Sequence, residues 1–243
     1  MKAPAADVRE AAIMTQLVYV HGSGHTYESF SEQLAAFPGS DAVSLPGHPE
    51  GRALESVGDC AVWLSKYLRW KGPDTAIVAG NSLGGAIALE WALRYPESAA
   101  GLILLGSGAR LRVSQQILDA IDALWPECID MLVDFSLSAG APDELRARVR
   151  AWHLTVGQAS TKQDFLNCNA FDAMDRVQAL RVPTLIVVGA QDVMTPPKYS
   201  QFLHERMPGS TLLIVDGAGH MVHAEKPDAV NSAIRQMFQG ALA

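Results

Sequence analysis

Short apolar runs recur along the chain and predict the strands of a buried sheet. Most of these runs are apolar at every position, as in strands that are buried on both faces. Stretches with helical periodicity lie between them, and strands that alternate with helices form a parallel sheet covered on both sides. The predicted strands are residues 17–20, 42–45 (a weaker run), 76–78, 102–105, 185–188 and 212–215, and the predicted helices are about 27–37, 57–70, 82–94, 197–206 and 227–238.

The predicted fold class is therefore α/β, with a mostly parallel central sheet and helices on both faces. In open sheets of this kind, active sites lie outside the carboxyl ends of the strands. The residues that directly follow each strand are thus the first candidates for chemistry.

One interval breaks the alternation of strands and helices. No strand-like run occurs between residues 105 and 185, an interval too long for an ordinary loop. Two helical faces are visible in it, formed by Ile117, Leu118, Ile121, Leu124 and Trp125 and by Leu145, Val149, Trp152 and Val156. We predict a helical cap at residues 109–180, inserted into a core made of residues 1–108 and 181–243. A set of extra packing helices is the simpler alternative.

Composition narrows the class of partner. Of the 243 residues, 49% are apolar and 19% are charged, which is typical of a folded globular protein. The net charge of -7 comes without the basic cluster that nucleic-acid binding requires, so we predict no nucleic-acid partner. No apolar run approaches the length of a membrane span, and residues 1–16 lack the core of a signal peptide. We therefore expect a cytoplasmic protein without membrane contact.

The three cysteines do not form a metal-binding pattern. Cys60, Cys128 and Cys168 are widely spaced and belong to no CxxC or Cys/His pair. We interpret them as buried or incidental thiols in a reducing compartment, and we predict neither a metal nor another cofactor.

A serine stands at the corner between a predicted strand and a predicted helix. The chain there reads Gly80, Asn81, Ser82, Leu83 and Gly84, which matches the pattern G-x-S-x-G. A strand that turns directly into a helix holds the serine in strained backbone geometry, and the two glycines leave room for close packing. The pattern alone occurs by chance in many chains. The strand before it and the helix after it favour Ser82 as a nucleophile over an ordinary turn residue.

A nucleophilic serine needs a general base, and seven histidines compete for that role. His220 lies in a glycine-rich loop between the last predicted strand and the last helix, at the same sheet edge as Ser82. His223 is expected to point away, His204 lies within a predicted helix, and His153 belongs to the insertion. We therefore predict His220 as the base.

The acid that orients the base should also follow a strand. Asp192 does so, four residues past Val188 and just ahead of a helix that opens with proline. The alternative position after Leu105 reads GSGAR and contains no carboxylate. We predict Asp192 as the acid, which gives the chain order nucleophile, acid, base. The other carboxylates near these loops are expected at the surface or as helix caps: Asp172, Asp175 and Asp216.

An early glycine-rich turn is the candidate oxyanion site. The segment HGSG, residues 21–24, directly follows the first predicted strand, and glycines there allow backbone N–H groups to approach a ligand. We assign one donor to the backbone of Ser23, with Gly22 or Gly24 as alternatives. The second donor is the backbone N–H of Leu83 at a helix N-terminus.

Together these segments resemble the α/β-hydrolase superfamily over most of the chain. The matching segments are HGSG, LPGHPEG, GNSLGG, PTLIVVGAQDVMTP and GAGHMVHAEKP. The resemblance implies a helical cap between two strands of the sheet and a Ser/Asp/His triad without metal or organic cofactor. Ser44 stands where relatives often have aspartate. The stretch ahead of Leu17 is short, so the first one or two strands of the family are expected to be reduced or missing.

The chemistry within this superfamily is narrowed by three residues. Ser82 argues against the haloalkane dehalogenase and epoxide hydrolase branches, which use aspartate at that corner. Asn81 is similar to the corner residue of hydrolases that cleave carbon–carbon bonds in ring-fission products, but Met221 stands where those relatives usually have tryptophan. A serine carboxylesterase acting through an acyl-enzyme is therefore favoured. A carbon–carbon or enol-lactone hydrolase of aromatic catabolism and a receptor-like protein with slow turnover are the alternatives.

The expected partner is a small-molecule ester, small to medium in size and mainly apolar. The chain is expected to act as a monomer or a homodimer. Seven residues are candidates for the substrate pocket, although each is also a normal core residue: His25, Leu111, Trp125, Trp152, Phe171, Met194 and Met221.

Overall fold

A single parallel sheet forms the centre of the molecule. A computed structural model describes residues 14–242, in which six strands pair in the order β2-β1-β3-β4-β5-β6. Every neighbouring pair is parallel, which confirms the predicted α/β class. The stretch expected to have lost the first strands of the family lies largely outside the described residues. The strands are β1 Thr15–Val20, β2 Asp41–Val43, β3 Thr75–Asn81, β4 Ala99–Leu105, β5 Thr184–Gly189 and β6 Ser210–Val215.

Helices cover both faces of this sheet. Because side chains alternate along a strand, the odd and even residues of β1 and β3 enter two different apolar clusters. One cluster packs against α2, α3 and α8, and the other against α9 and α10. The predicted helix 27–37 is a 3-10 turn, Tyr27–Phe30, followed by α1. The core helices are α1 Ser31–Ala36, α2 Val57–Lys71, α3 Leu83–Arg94, α8 Pro197–Arg206, α9 Val222–Glu225 and α10 Pro227–Phe238.

Local sequence sets the ends of α2. Ser56 is its N-cap, and the Ser56 side chain accepts a hydrogen bond from the backbone N–H of Asp59 at 3.0 Å. Gly72 ends the helix in the left-handed region with a φ of 84°, where glycine carries no steric penalty. The predicted end at residue 70 is thus extended by one residue.

Four helices separate β4 from β5, as the pattern of residues 105–185 predicts. The first helical face is buried only as far as Ile121, since Leu124 is 57% exposed. An antiparallel bridge between Arg110 and Asp172 brings the two ends of the insertion together. The division into a core and a cap at residues 109 and 180 stays a prediction. The helices are α4 Gln115–Ala123, α5 Ile129–Ser136, α6 Asp143–Val156 and α7 Gln158–Ala170.

No helix within residues 14–242 combines the length and the apolar composition that a bilayer crossing requires.

The turn from β3 into α3 is packed so closely that it excludes side chains at two glycines. A Cβ atom on Gly84 would overlap the carbonyl oxygen of Val20 in β1, and a Cβ atom on Gly80 would overlap the backbone of Gly84. The helix therefore lies directly against the end of β1. This is the steric reason for the G-x-S-x-G spacing.

We expect Gly84→Ala to lower the free energy of unfolding by about 3 kcal/mol, because the added methyl group must displace backbone rather than a flexible side chain. Gly140→Ala is the matched control, since a Cβ atom there would meet nothing within 4 Å. Urea unfolding followed by circular dichroism measures both. Equal stability of the two variants would show that α3 does not approach β1 this closely.

Candidate active site

Ser82 occupies a strained turn at the carboxyl end of β3. Its φ of 54° is the only positive value for a non-glycine residue in the described part of the chain. The backbone N–H of Ser82 donates to the carbonyl of Leu105 at 3.0 Å, and the Ser107 hydroxyl donates to the carbonyl of Ser82 at 2.8 Å. Ser82 itself is partly exposed. The end of β4 thus holds the turn while the serine side chain stays accessible.

Asp192 and His220 form a buried hydrogen-bonded pair. They follow the adjacent strands β5 and β6, each is 3% exposed, and Asp192 Oδ2 lies 2.9 Å from His220 Nδ1. Because a carboxylate can only accept, the proton of a neutral His220 ring resides on Nδ1 and the lone pair on Nε2. His220 is therefore prepared to accept a proton on Nε2.

Further donors keep Asp192 ionised. Its carboxylate accepts hydrogen bonds from the backbone N–H groups of Met194 at 2.9 Å and Thr195 at 2.8 Å, and from the Thr195 hydroxyl at 2.8 Å. Burial alone would raise the pKa of Asp192, but the charge and hydrogen bond of His220 and the two bonds from Thr195 hold that pKa below its usual value. Asp192 thus remains a carboxylate at neutral pH.

Asn81 joins the serine turn to the loop of His220. The Asn81 side-chain amide donates to the carbonyl of Leu105 at 3.0 Å and to the carbonyl of His220 at 3.2 Å. Its amide is therefore directed at backbone, and the carbon–carbon alternative drawn from Asn81 stays a prediction. Within residues 14–242, no hydrogen bond joins Ser82 Oγ to His220. Such contacts often tighten only when substrate binds.

The loop of residues 21–24 lies against the serine turn. A Cβ atom on Gly22 would come 3.5 Å from Ser82 Cβ, so this loop contacts the predicted nucleophile. The backbone N–H of Gly24 donates to Asp164 Oδ2 at 2.8 Å and is thereby occupied. Ser23 and Gly22 are left as candidates for the first oxyanion donor. Leu83, the predicted second donor, is the first residue of α3.

The competing histidines lie elsewhere. His223 is buried with its ring stacked on Phe30, at 4.6 Å between centroids, and His204 on α8 is hydrogen-bonded to Ser210 in β6. His153 in α6 packs against His25, at 5.2 Å between ring centroids. These rings are not hydrogen-bonded to Asp192.

The predicted pocket residues divide into three groups. Leu111 and Phe171 pack in the core cluster with α2 and α3, and their place in a substrate pocket stays a prediction. Met194 lines a groove of about 250 Å³ at the junction of the insertion and the Asp192 loop, together with Phe135 and Phe165. A third group packs at the contact between insertion and core: His25, Trp125, Trp152 and Met221.

Thr195 and Glu225 support the site but were not predicted from the sequence, and Asn81 was singled out there only for carbon–carbon hydrolysis. Glu225 accepts hydrogen bonds from the backbone N–H of Gly219 at 2.8 Å and of Ser138 at 2.9 Å, so it ties the His220 loop to the insertion. The available signal was spacing: Thr195 and Glu225 follow the predicted acid and base by three and five residues.

In the described part of the chain, no group of three His, Cys, Asp or Glu side chains is arranged to hold a metal ion.

The sequence profile of the alpha/beta hydrolase family matches residues 17–233. A curated relative, the pimeloyl-[acyl-carrier protein] methyl ester esterase of Neisseria meningitidis serogroup B, is 26% identical over 242 residues, with 92% of each chain covered. A solved structure described as a thermophilic esterase is 33% identical, with a TM-score of 0.85 over 93% of this chain and 90% of that chain.

A third comparison concerns the fold alone. The enol-lactonase from Burkholderia xenovorans LB400 superimposes with a TM-score of 0.85 over 93% of this chain and 92% of that chain, at 16% identity. The two more similar proteins are esterases, which supports ester hydrolysis at a coarse level.

We expect the free energy of unfolding to fall as pH drops below 6.5. Burial lowers the pKa of His21 and His223 to about 3 and of His153 to about 4, and that of His25 well below its usual value. The unfolded chain then binds protons that the folded chain does not, which removes up to about 1.4 kcal/mol per pH unit for each histidine.

His48 acts in the opposite direction. Its pKa is raised, because Asp164 outweighs the effect of burial, so its contribution is present below pH 6.5 and is lost as pH rises through the folded pKa. Urea unfolding from pH 7.5 to 5.5 measures the net slope. His223→Phe should reduce that slope by about the contribution of one histidine, up to about 1.4 kcal/mol per pH unit. If the free energy of unfolding stays constant on acidification, the buried histidines do not have lowered pKa values in the folded chain.

Proposed function

The chain belongs to the alpha/beta hydrolase family. On this basis we propose that it hydrolyses carboxylic esters through an acyl-enzyme. The observation that carries the proposal is the buried pair of Asp192 and His220, joined at 2.9 Å and connected through Asn81 to the strained turn at Ser82. This arrangement offers an activatable hydroxyl, a base with a free lone pair and an acid that orients the base.

In the proposed acylation step, Ser82 Oγ attacks the ester carbonyl carbon and His220 Nε2 takes the serine proton. Asp192 holds the Nδ1–H tautomer of His220 and stabilises the imidazolium that forms. The tetrahedral intermediate then collapses, its bond to the alkoxy oxygen breaks, and His220 returns the proton to the leaving alcohol. Water repeats the sequence on the acyl-enzyme and releases the acid and free Ser82.

The developing negative charge needs two fixed donors. We assign them to the backbone N–H groups of Ser23 and Leu83, since one lies on the loop that contacts the Ser82 turn and the other opens α3. A single donor of this kind contributes about 3 kcal/mol to transition-state stabilisation in measured cases.

A groove next to the Asp192 loop supports the proposed substrate class. The groove beside Asp192 is lined by apolar side chains, among them Phe135, Phe165 and Met194, and Arg112 lies on its wall. We propose esters with a mainly apolar acyl group of small to medium size, bound beneath a cap formed by residues 109–180. The methyl ester named for the Neisseria relative makes small alcohols the first leaving groups to try.

We expect Ser82→Ala to abolish turnover of p-nitrophenyl butyrate and labelling by a fluorophosphonate, because both require the same nucleophile. Ser31→Ala is the matched control, since Ser31 lies exposed at the start of α1 and should keep the wild-type rate. If the Ser82→Ala variant is still fully labelled, Ser82 is not the nucleophile. The same assay, run with ring-fission dienones and enol-lactones, measures whether esters are the preferred substrates.

We expect Thr195→Val to lower kcat about tenfold with little change in KM. The substitution keeps the shape of the side chain and removes a hydrogen bond to the Asp192 carboxylate, a contact that contributes about 1.5 kcal/mol. Thr195→Ser retains the hydroxyl and should stay within about threefold of the wild type. If valine and serine variants have equal rates, the hydroxyl of Thr195 plays no part in orienting the acid.

A further inference from the structure

Asp164 is a buried carboxylate of the insertion that contacts the candidate oxyanion loop. It lies on α7 and is 2% exposed. Its Oδ2 atom accepts hydrogen bonds from the backbone N–H of Gly24 and from His48 Nε2, each at 2.8 Å. One carboxylate oxygen of the insertion therefore binds two loops of the core.

His48 is held in a geometry that favours its doubly protonated form. Its Nε2 faces the Asp164 carboxylate, and its Nδ1 lies 3.2 Å from the carbonyl oxygens of Leu45 and Pro46. All three partners can only accept, so both ring nitrogens are matched as donors. Asp164 and His48 thus form a buried hydrogen-bonded pair in which the carboxylate also binds Gly24.

The neighbouring histidine completes the contact between these two loops. His21 directly follows β1, and its ring packs on His48 with 4.6 Å between centroids. The backbone N–H of Leu45 donates to His21 Nε2 at 3.0 Å, which leaves the proton of the neutral ring on Nδ1, near the carbonyl of Gly22. The loop of residues 21–24 is therefore fixed at His21 by the core and at Gly24 by the insertion.

Gly24 is the point at which the insertion meets the loop. It has a φ of 70°, and a Cβ atom there would overlap the ring of His153 in α6. Ser23, the assigned oxyanion donor, is its immediate neighbour, and the Ser23 hydroxyl lies 3.5 Å from the thiol of Cys168 in α7. The Ser23–Gly24 peptide is thus oriented by contacts from α6 and α7, and the Ser23 N–H lies on the preceding peptide, on the other side of the Ser23 Cα atom.

We propose that Asp164 is a positioning residue for ester hydrolysis, which fixes the Ser23 N–H towards the oxyanion by holding Gly24. The inference rests on the proposed function. If Asp164 has this role, the oxyanion site is complete only when the insertion packs against the core. Asp164 contacts neither substrate nor Ser82 in this role and acts through the loop alone.

The first variants separate the two roles of the carboxylate. Asp164→Ala removes the acceptor for Gly24 and should lower kcat about 10- to 100-fold with KM within about threefold, since a misplaced donor loses much of its effect on the transition state. Asp164→Asn can place its amide oxygen at the same position and should recover most of the rate. A kcat for folded Asp164→Ala equal to that of the wild type would overturn the proposal.

A double variant tests whether the pair of Asp164 and His48 contributes to stability alone. Replacing a buried pair with apolar residues of similar volume often preserves stability, so His48→Phe combined with Asp164→Leu should fold while the Gly24 N–H still lacks its acceptor. We expect kcat to stay low in this variant. Recovery of the wild-type kcat together with stability would show that the pair serves the fold alone.

Inhibition by a trifluoromethyl ketone provides a measurement that a loss of stability does not change. Ser82 Oγ adds to the carbonyl carbon of the ketone while the serine proton passes to His220 Nε2, and the carbonyl oxygen becomes a hemiketal oxyanion. The inhibition constant for the folded fraction should therefore rise in parallel with the loss of kcat/KM. An unchanged inhibition constant in Asp164→Ala would contradict the role of the loop.

The control is a second buried carboxylate away from the loop. Glu90 in α3 is 6% exposed and pairs with Arg94 at 2.6 Å, so Glu90→Ala should lower the melting temperature without a comparable loss of kcat. A wild-type protein without esterase activity would reject the proposed function itself. An active wild type with unaffected Asp164 variants would reject only the positioning role.

Discussion

At Ser82 the chain passes from β3 into α3 with a φ of 54°, and the other groups of the candidate site are fixed relative to this turn. A non-glycine residue in such a conformation costs on the order of 1–3 kcal/mol, so its surroundings must maintain it. The hydrogen bonds to Leu105 and from Ser107 do so from β4, and the bare backbone of Gly84 lets α3 rest against β1. The strained turn is thus held in place by contacts with β1, β3 and β4.

The insertion is attached to the core at the loops that carry the candidate chemistry. Two carboxylates make this attachment: the buried Asp164 binds the loop of Gly24, and the partly exposed Glu225 binds both Gly219 beside His220 and Ser138 in the insertion. Hydrogen bonds to charged acceptors are the stronger ones in proteins, particularly where water is excluded. A change in the position of these helices would therefore reach both the loop of residues 21–24 and the loop of His220.

The strands and the serine turn could be predicted because each has a local cause in the sequence. The buried central strands are apolar at most positions, and the turn admits only glycine at residues 80 and 84. The pocket could not be predicted in the same way, because Leu111 and Phe171 are apolar whether they face a core or a cavity. Asp164 was missed because α7 is mostly polar in sequence, so a carboxylate there resembles a surface residue until the partners from distant loops are known.

The position of the insertion also matters to the protein while it is being synthesised. Strands β2, β1, β3 and β4 with the Ser82 turn are all encoded before residue 106, whereas β5 and β6 follow residues 106–183. At roughly 5–20 residues per second, the ribosome needs about 4–16 seconds to cross that interval. Throughout this time the all-apolar edge of β4 has no neighbour, and an unpaired edge of that kind invites pairing with another chain. The nascent chain thus carries the proposed nucleophile early, the proposed base last, and an aggregation-prone strand edge in between.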